Sequence, residues 1–490
     1  MLKAFSSAAC AVAALSTPSF ASDPDWREVY LADLAAIRTT IETQHPGPVD
    51  TLNPAFSSWL DEGYERALGR ADQVDSQLAY FYGLSAFVDG FRDGHLGLSY
   101  NLDNPYFAWP GFVAAWRGGE VIVLDADPSF AGAPPAGAQI TACDGRPVRD
   151  WIHARVFDFM MNPDLPGDWY RAVPRAFLSR GNPLAPLPAS CTFVSGGEAR
   201  DIALDWQITN AQTYMAAFRA GGFGEANDLG MTQIGEHRYW ISLPTFGPDG
   251  DLAETMAVLA DDMRERAETY RNAELVVFDL RGNTGGSSMW GDAFDTALFG
   301  GRVEQTPDET YVDWRVTQEN RDHIADAADG FILEQFGEDS DAMRWARRII
   351  AGMDEALANG DALWTQRSDP ADLPPEDSLP PAELTARVVV LTDGYCASAC
   401  LDFMDRLMDR PGVIHVGAPT SADTDYMEVR TITLPSGAAR LTFALKVYRG
   451  RPRGSGVYYV PDIVFDGQHW TTQALNAWVN GLYESGQLDR

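Results

Sequence analysis

Two short stretches carry residue types suited to acyl-transfer chemistry. "TDGYCASAC" (Thr392–Cys400) follows the apolar run "RVVVL" and sets Ser398 between Cys396 and Cys400, just ahead of an amphipathic helical pattern. A serine there is either a helix cap, for which its side chain is well suited, or a nucleophile waiting for a base to take its proton. The second stretch, "FDLRGNTGGS" (Phe278–Ser287), is a buried-strand pattern running into a glycine loop. Glycine permits positive φ and close approach, so such a loop bares backbone N–H groups for a phosphate or a developing oxyanion. A phosphate loop wants Gly-x-Gly-x-x-Gly or a Gly-Lys-Ser ending, and the stretch has neither. Past the first few residues the only lysine is Lys446.

Taken together, the two stretches resemble the core of the C-terminal-processing/tricorn family of serine peptidases. "GAPTSADT" after Val416 matches that family's Gly-x-x-Thr segment, and "VPDIVFD" matches its Pro-Asp-Ile close. The resemblance implies an α/β multidomain chain with a crotonase/ClpP-like core, needing no metal or other cofactor. Ser398 takes the nucleophile's place. The Ala399 N–H, with an N–H of Gly285 or Gly286, takes the place of the oxyanion hole. For the base the family has two solutions. Its Ser–Lys branch puts a lysine where this chain has Asp423, so that dyad is absent. Its histidine branch draws on an upstream Asp-x-His segment, and "RDGHLGL" supplies His95, imidazole being the side chain most often used as a general base.

Asp93, two residues earlier, is expected on the same side as His95, which leaves direct pairing open. The acid that the histidine branch carries shortly before the Pro-Asp close is missing from "RGRPRGSGVYYVPD". Glu428 is the candidate in its stead, with Asp425 behind it. Lys446 is a fallback base, its pKa lowered by burial and by the basic run that follows it. Ahead of that stand two other readings: Lys446 is a structural cation, or it binds a substrate carboxylate with Arg449, Arg451 and Arg453.

Positioning these residues takes several elements. Residues 22–103 read as an N-terminal helical domain with three amphipathic runs ending at "RDGHLGL". Residues 104–208 turn to short β patterns, including a hairpin around Arg117-Gly118-Gly119 and a strand–Asp-Gly–helix order that resembles a PDZ domain. Alternating strands and helices over 209–300 and 385–490 form two parts of a protease core. Between them, 301–384 reads as an acidic helical insertion able to cover a site.

The chain of 490 residues has a net charge of -33, spread along its length. Such a field repels phosphate backbones and anionic lipid, which argues against nucleic acid and membrane-surface partners. Residues 1–21 have the basic start, alanine-rich apolar run and Ser-Phe-Ala ending of a signal peptide, and no stretch is long enough to span a membrane. Export to a periplasm or medium follows as the expectation. Removing the leader leaves Cys143, Cys191, Cys396 and Cys400, an even set suited to two disulfides. Three pairings are open, and proximity favours Cys143–Cys191 and Cys396–Cys400. Histidines are too scattered, and Cys-x-x-Cys too absent, to favour zinc.

The expected function is that of an exported serine endopeptidase cleaving polypeptides. The alternative, motivated by the absent lysine and late acid, is an inactive peptide- or ligand-binding protein on the same fold.

Overall fold

The computed structural model describes residues 24–100, 104–130, 132–301, 310–367 and 380–489. The expected leader, 1–21, and most of the proline-rich end of 301–384 lie outside the described residues.

The Ser398 turn and the glycine loop belong to one six-stranded sheet. Its order is Gly230–Gly235, Arg238–Ser242, Leu275–Asp279, Arg387–Thr392, Val413–Gly417 and Ile463–Val464. The first pair is antiparallel and the rest parallel. "LVVFD" is buried throughout, as parallel strands covered on both faces must be. Helices Gly250–Glu265, Ser288–Phe299 and Ala399–Met408 cover one face, packing Met256, Phe294 and Phe403 onto Phe278 and Val390. Helix Thr472–Glu484 covers the other, with Leu475 and Val479 against Val277 and Val389. Because Leu275–Asp279 and Arg387–Thr392 are adjacent and parallel, the loops leaving their C-terminal ends emerge side by side.

A second sheet has the order Gly97–Tyr100, Ala439–Arg449, Tyr311–Arg315 and Leu363–Arg367, with Tyr426–Thr433 also paired to Ala439–Arg449. Here the structure departs from the sequence expectation. The described residues of 301–384 form no separate cover. Helix Asp341–Asn359 and strand Tyr311–Arg315 share one core with the N-terminal helices, through Leu34, Phe87, Trp314, Ile349 and Phe443. The reason is amphipathicity: Met343, Ala346, Ile349 and Met353 line one helix face, while Val312 and Trp314 alternate inward on the strand. Neither face could stay in water.

The third unit is a sheet built from Phe112–Arg117, Glu120–Ala126, Gln139–Cys143, Ser190–Ser195 and Glu198–Ala203, with Arg146–Pro147 on its third strand. The expected hairpin turns through Gly118 and Gly119, both at positive φ. A disulfide joins Cys143 to Cys191, which lie opposite each other on neighbouring strands. Helix Pro166–Ala176 leaves this unit and docks on the Ser398 turn at Gly394. A Cβ on Gly167 would stand 2.9 Å from Gly394 Cα and from Pro419 O. Only glycine allows that approach.

Candidate active site

The Ser398 turn is built by Asp393. Its buried carboxylate accepts the Tyr395 N–H and, across to the glycine loop, the Gly282 N–H, each at 2.9 Å. Burial, against those N–H groups, pushes this carboxyl up to about 6. A Cys396–Cys400 disulfide closes the turn, with Cys396 ahead of the helix that starts at Ala399. Ser398 itself sits at φ 54°, ψ -127°, and its side chain makes no capping hydrogen bond. For a residue with a Cβ this conformation costs roughly 1–3 kcal/mol. A cap would not need it. A sharp, strained strand-to-helix elbow that exposes a hydroxyl does.

The glycine loop lies against that elbow. Gly285 is at φ 99°, and a Cβ there would stand 2.7 Å from Ser398 Cβ and 2.9 Å from the Ala399 nitrogen. Asn283 braces the loop from inside, donating to Leu243 O at 2.8 Å and accepting the Gly285 N–H at 2.9 Å. The Gly285 amide is therefore committed, while its carbonyl accepts from Phe246 at 3.0 Å. Of the two glycines named for the oxyanion hole, Gly285 thus has its N–H occupied. The preceding Asp279–Arg281 pair is structural: it is buried and bidentate, and Arg281 also donates to Thr472 Oγ1 at 2.9 Å.

His95 reaches this elbow from the second sheet, on the loop before Gly97–Tyr100. Its Nε2 lies 3.4 Å from Ser398 Oγ. Asp93 does not touch the ring. Its Oδ1 accepts the His95 backbone N–H at 3.0 Å and the Thr424 hydroxyl at 2.7 Å, so it shapes the loop. Its Oδ2 faces His45 Nε2 at 3.5 Å, with both side chains buried. His45 Nδ1 accepts the Gly47 N–H at 2.9 Å, which places the ring proton on Nε2, toward Asp93. Burial lowers the His45 pKa against the pull of Asp93. Burial also works to raise Asp93, but His45, His95 and Thr424 outweigh it and the carboxyl stays below its usual range.

Asp423 is the residue that sequence reasoning used only to exclude a lysine. Its Oδ1 accepts the Ser398 N–H at 2.9 Å. Its neighbour Thr424 holds Asp93. Ser398, Asp423, Thr424, Asp93 and His95 thus form a closed ring of contacts that fixes hydroxyl and imidazole together. Burial raises the Asp423 pKa, opposed by His95, the Ser398 N–H, Arg453 and Arg451.

Three sequence assignments need correcting. Glu428 does not orient His95: its carboxylate accepts from Lys446 Nζ at 3.2 Å, while His95 Nδ1 is buried with no hydrogen-bond partner. Lys446 is not a depressed base. Burial pulls its pKa down, but Glu428 and Tyr448 outweigh that and raise it, and its ammonium lies over the Trp314 ring at 4.9 Å. The basic run is not a free carboxylate site either. Arg449 is held by Asp50 at 2.9 Å and Asp313 at 3.0 Å. Arg451 pairs with Asp402, and Arg453 with Asp405 at 2.8 Å. These acids come from distant segments, so no local pattern announces them.

Among the described residues, no cluster of His, Cys, Asp and Glu is placed to hold a metal ion, and no helix is long and apolar enough to cross a membrane.

Residues 240–455 match the model of peptidase family S41. No curated protein matches the chain. Among solved structures the chain is similar to mature CPAF, with a TM-score of 0.58 at 14% identity over 94% of this chain and 98% of that one. Mature CPAF complexed with lactacystin matches with the same TM-score and identity, over 94% of this chain and 99% of that one. The photosystem II D1 C-terminal processing protease aligns at 12% identity with a TM-score of 0.33, over 90% of this chain and 94% of that one. At these identities the CPAF likeness is one of fold.

Proposed function

We propose that this chain, a serine peptidase by its family S41 domain, is an exported endopeptidase that cleaves polypeptides through an acyl-enzyme on Ser398, with His95 as general base. The single observation that carries the assignment is the approach of His95 Nε2 to Ser398 Oγ, 3.4 Å across 303 residues of sequence. That is loose for a catalytic hydrogen bond, as unliganded sites commonly are.

In the first half-reaction Oγ attacks the scissile carbonyl and its proton passes to His95 Nε2. The tetrahedral oxygen is received by the Ala399 N–H and, with the Gly285 amide already engaged, the Gly286 N–H. Collapse breaks the C–N bond, and Nε2 returns the proton to the leaving amine. Water then repeats the sequence on the ester, releasing a carboxylate and regenerating Ser398. Each backbone donor is worth ~10²–10³ in rate, and the positioned base ~10²–10⁴.

Two disulfides among the described residues suit an oxidising compartment, which supports export. The unit spanning 112–203 is read as PDZ-like, with the substrate bound extended by strand addition. Its outer strand Glu198–Ala203 is mostly exposed and pairs on one side only, leaving an edge for that purpose.

The test is hydrolysis of an unfolded protein by wild type, Ser398→Ala and His95→Ala. Loss of turnover in both variants, with folding intact, supports the assignment. If the wild type is as inert as Ser398→Ala yet binds the same peptides, the chain is a binding protein on this fold.

A further inference from the structure

The histidine lacks an evident orienting acid. The expected Glu428 is taken by Lys446, and "RGRPRGSGVYYVPD" contributes none. A base whose ring is free to turn, or that holds its proton on the wrong nitrogen, is a poor base. For Nε2 to accept from Ser398, the neutral ring must carry its proton on Nδ1, and that proton needs an acceptor.

Several polar atoms around the site are buried and lack a hydrogen-bond partner: His95 Nδ1, Asp423 Oδ2, Arg453 Nη1, and the facing pair Asp93 Oδ2 and His45 Nε2. Their coincidence is informative, because buried polar atoms are satisfied almost everywhere in folded proteins. Asp93 and Asp423 are the two carboxylates on which the charge of His95 acts. Asp93 is fully engaged at Oδ1 by the His95 N–H and Thr424, and its Oδ2, without a hydrogen bond, is paired by charge with buried His45 at 3.5 Å. Asp423 accepts a hydrogen bond only at Oδ1, from the Ser398 N–H. Its Oδ2 forms a buried ion pair with Arg453 Nη1 at 3.6 Å but no hydrogen bond. The charges that act on Asp423 are those of His95, Arg453 and Arg451, and His95 is the strongest of them. Arg453 is meanwhile tethered at its Nε by Asp405, at 2.8 Å.

We infer that Asp423 is the acid that orients His95, its Oδ2 taking the Nδ1 proton once substrate tightens the site, directly or through one water. It is a positioning residue, since it meets no reacting atom of the substrate. It holds the nucleophile's backbone with one oxygen and the base with the other. The proton on Nδ1 stays on the ring throughout. Asp423 favours the imidazolium formed when Nε2 takes the Ser398 proton, and it takes no proton itself. This assignment rests on the Ser398–His95 reading above and adds its third member, at the chain position where the lysine branch keeps its base.

Asp423→Asn separates the two duties. The amide oxygen can still accept the Ser398 N–H, but the amide nitrogen then opposes the Nδ1 proton and favours the wrong tautomer. We expect kcat on an unfolded protein to fall at least 100-fold with KM within threefold. The rate of fluorophosphonate labelling of Ser398 should fall in parallel, and the acid limb of the kcat/KM profile should move. Asp423→Glu should recover part of the rate. Asp423→Ala reports the combined loss of both duties and is read only if its unfolding midpoint stays near that of wild type. Asp423→Asn within threefold of wild type, with Ser398→Ala and His95→Ala both dead, overturns this inference and leaves the enzyme assignment standing. The same result with Asp93→Asn down 100-fold and folded assigns the orienting role to Asp93. Activity surviving in Ser398→Ala overturns the underlying assignment instead.

Discussion

Asp423 Oδ1 accepts the backbone N–H of Ser398 at 2.9 Å, so Ser398 is held by a side chain that sequence alone marks only as the wrong residue for a lysine. Through Thr424 the same segment holds Asp93, and through Asp93 the loop of His95. The site is a joint between two sheets, tied at adjacent residues. Its geometry depends on that tie more than on either sheet.

The strained elbow makes Ser398→Gly informative. Glycine tolerates φ 54° without the steric cost, though it adds freedom to the unfolded chain. The net expectation is a gain of about 1 kcal/mol in unfolding free energy with complete loss of turnover. Denaturant unfolding beside a peptidase assay checks it. Loss of stability would mean the turn is not strained.

Gly285 has no room for a side chain, with Ser398 Cβ 2.7 Å from where its own Cβ would be. Gly285→Ala should lower kcat at least 100-fold by displacing the elbow or the oxyanion donors. The fold should lose about 1–3 kcal/mol. Near-normal kcat in this variant contradicts the placement of the glycine loop.

Much of this was legible, and the rest was not, for a physical reason. Ser398 at a strand-to-helix turn and the glycine loop after a buried strand are local patterns, because buried parallel strands are uniformly apolar and glycine marks the loop. The contacts of Asp423, Thr424, Asp405 and Asp50 join segments far apart, and no spacing rule encodes them. The basic run near Arg449 looked like a binding site because its five neutralising carboxylates, Asp50, Asp313, Asp402, Asp405 and Asp423, lie elsewhere in the sequence. Segment 301–384 looked like an insertion because its acidic surface hid an inward stripe, which only the partner core at Leu34 and Phe443 explains.

Lys446 is assigned no chemical role. Lys446→Met should leave kcat/KM within about threefold while lowering stability by about 1–2 kcal/mol, since Glu428 retains contact with water. A folded Lys446→Met protein without activity would restore the lysine as a base.

His415 supplies a pH signature of the fold. Burial holds its pKa at about 4 against the pull of Asp462, below the unfolded value of 6.5. Between those values the unfolded chain binds the extra proton, so stability falls as pH falls through that window, by up to about 3 kcal/mol in total. Asp393 works oppositely, since its raised pKa lets the native state hold a proton that the unfolded chain has lost. Comparing wild type with His415→Asn by denaturant unfolding from pH 7 to pH 4 isolates the histidine. The stability gap should narrow with acid, and a constant gap contradicts the assignment.

The central claim is that Ser398 is activated by His95. Fluorophosphonate labelling followed by peptide mapping tests it most directly. The account predicts one label per chain, on Ser398, forming at least 100-fold more slowly in His95→Ala at neutral pH. A label on another serine, or labelling of Ser398 at an unchanged rate without His95, would contradict it.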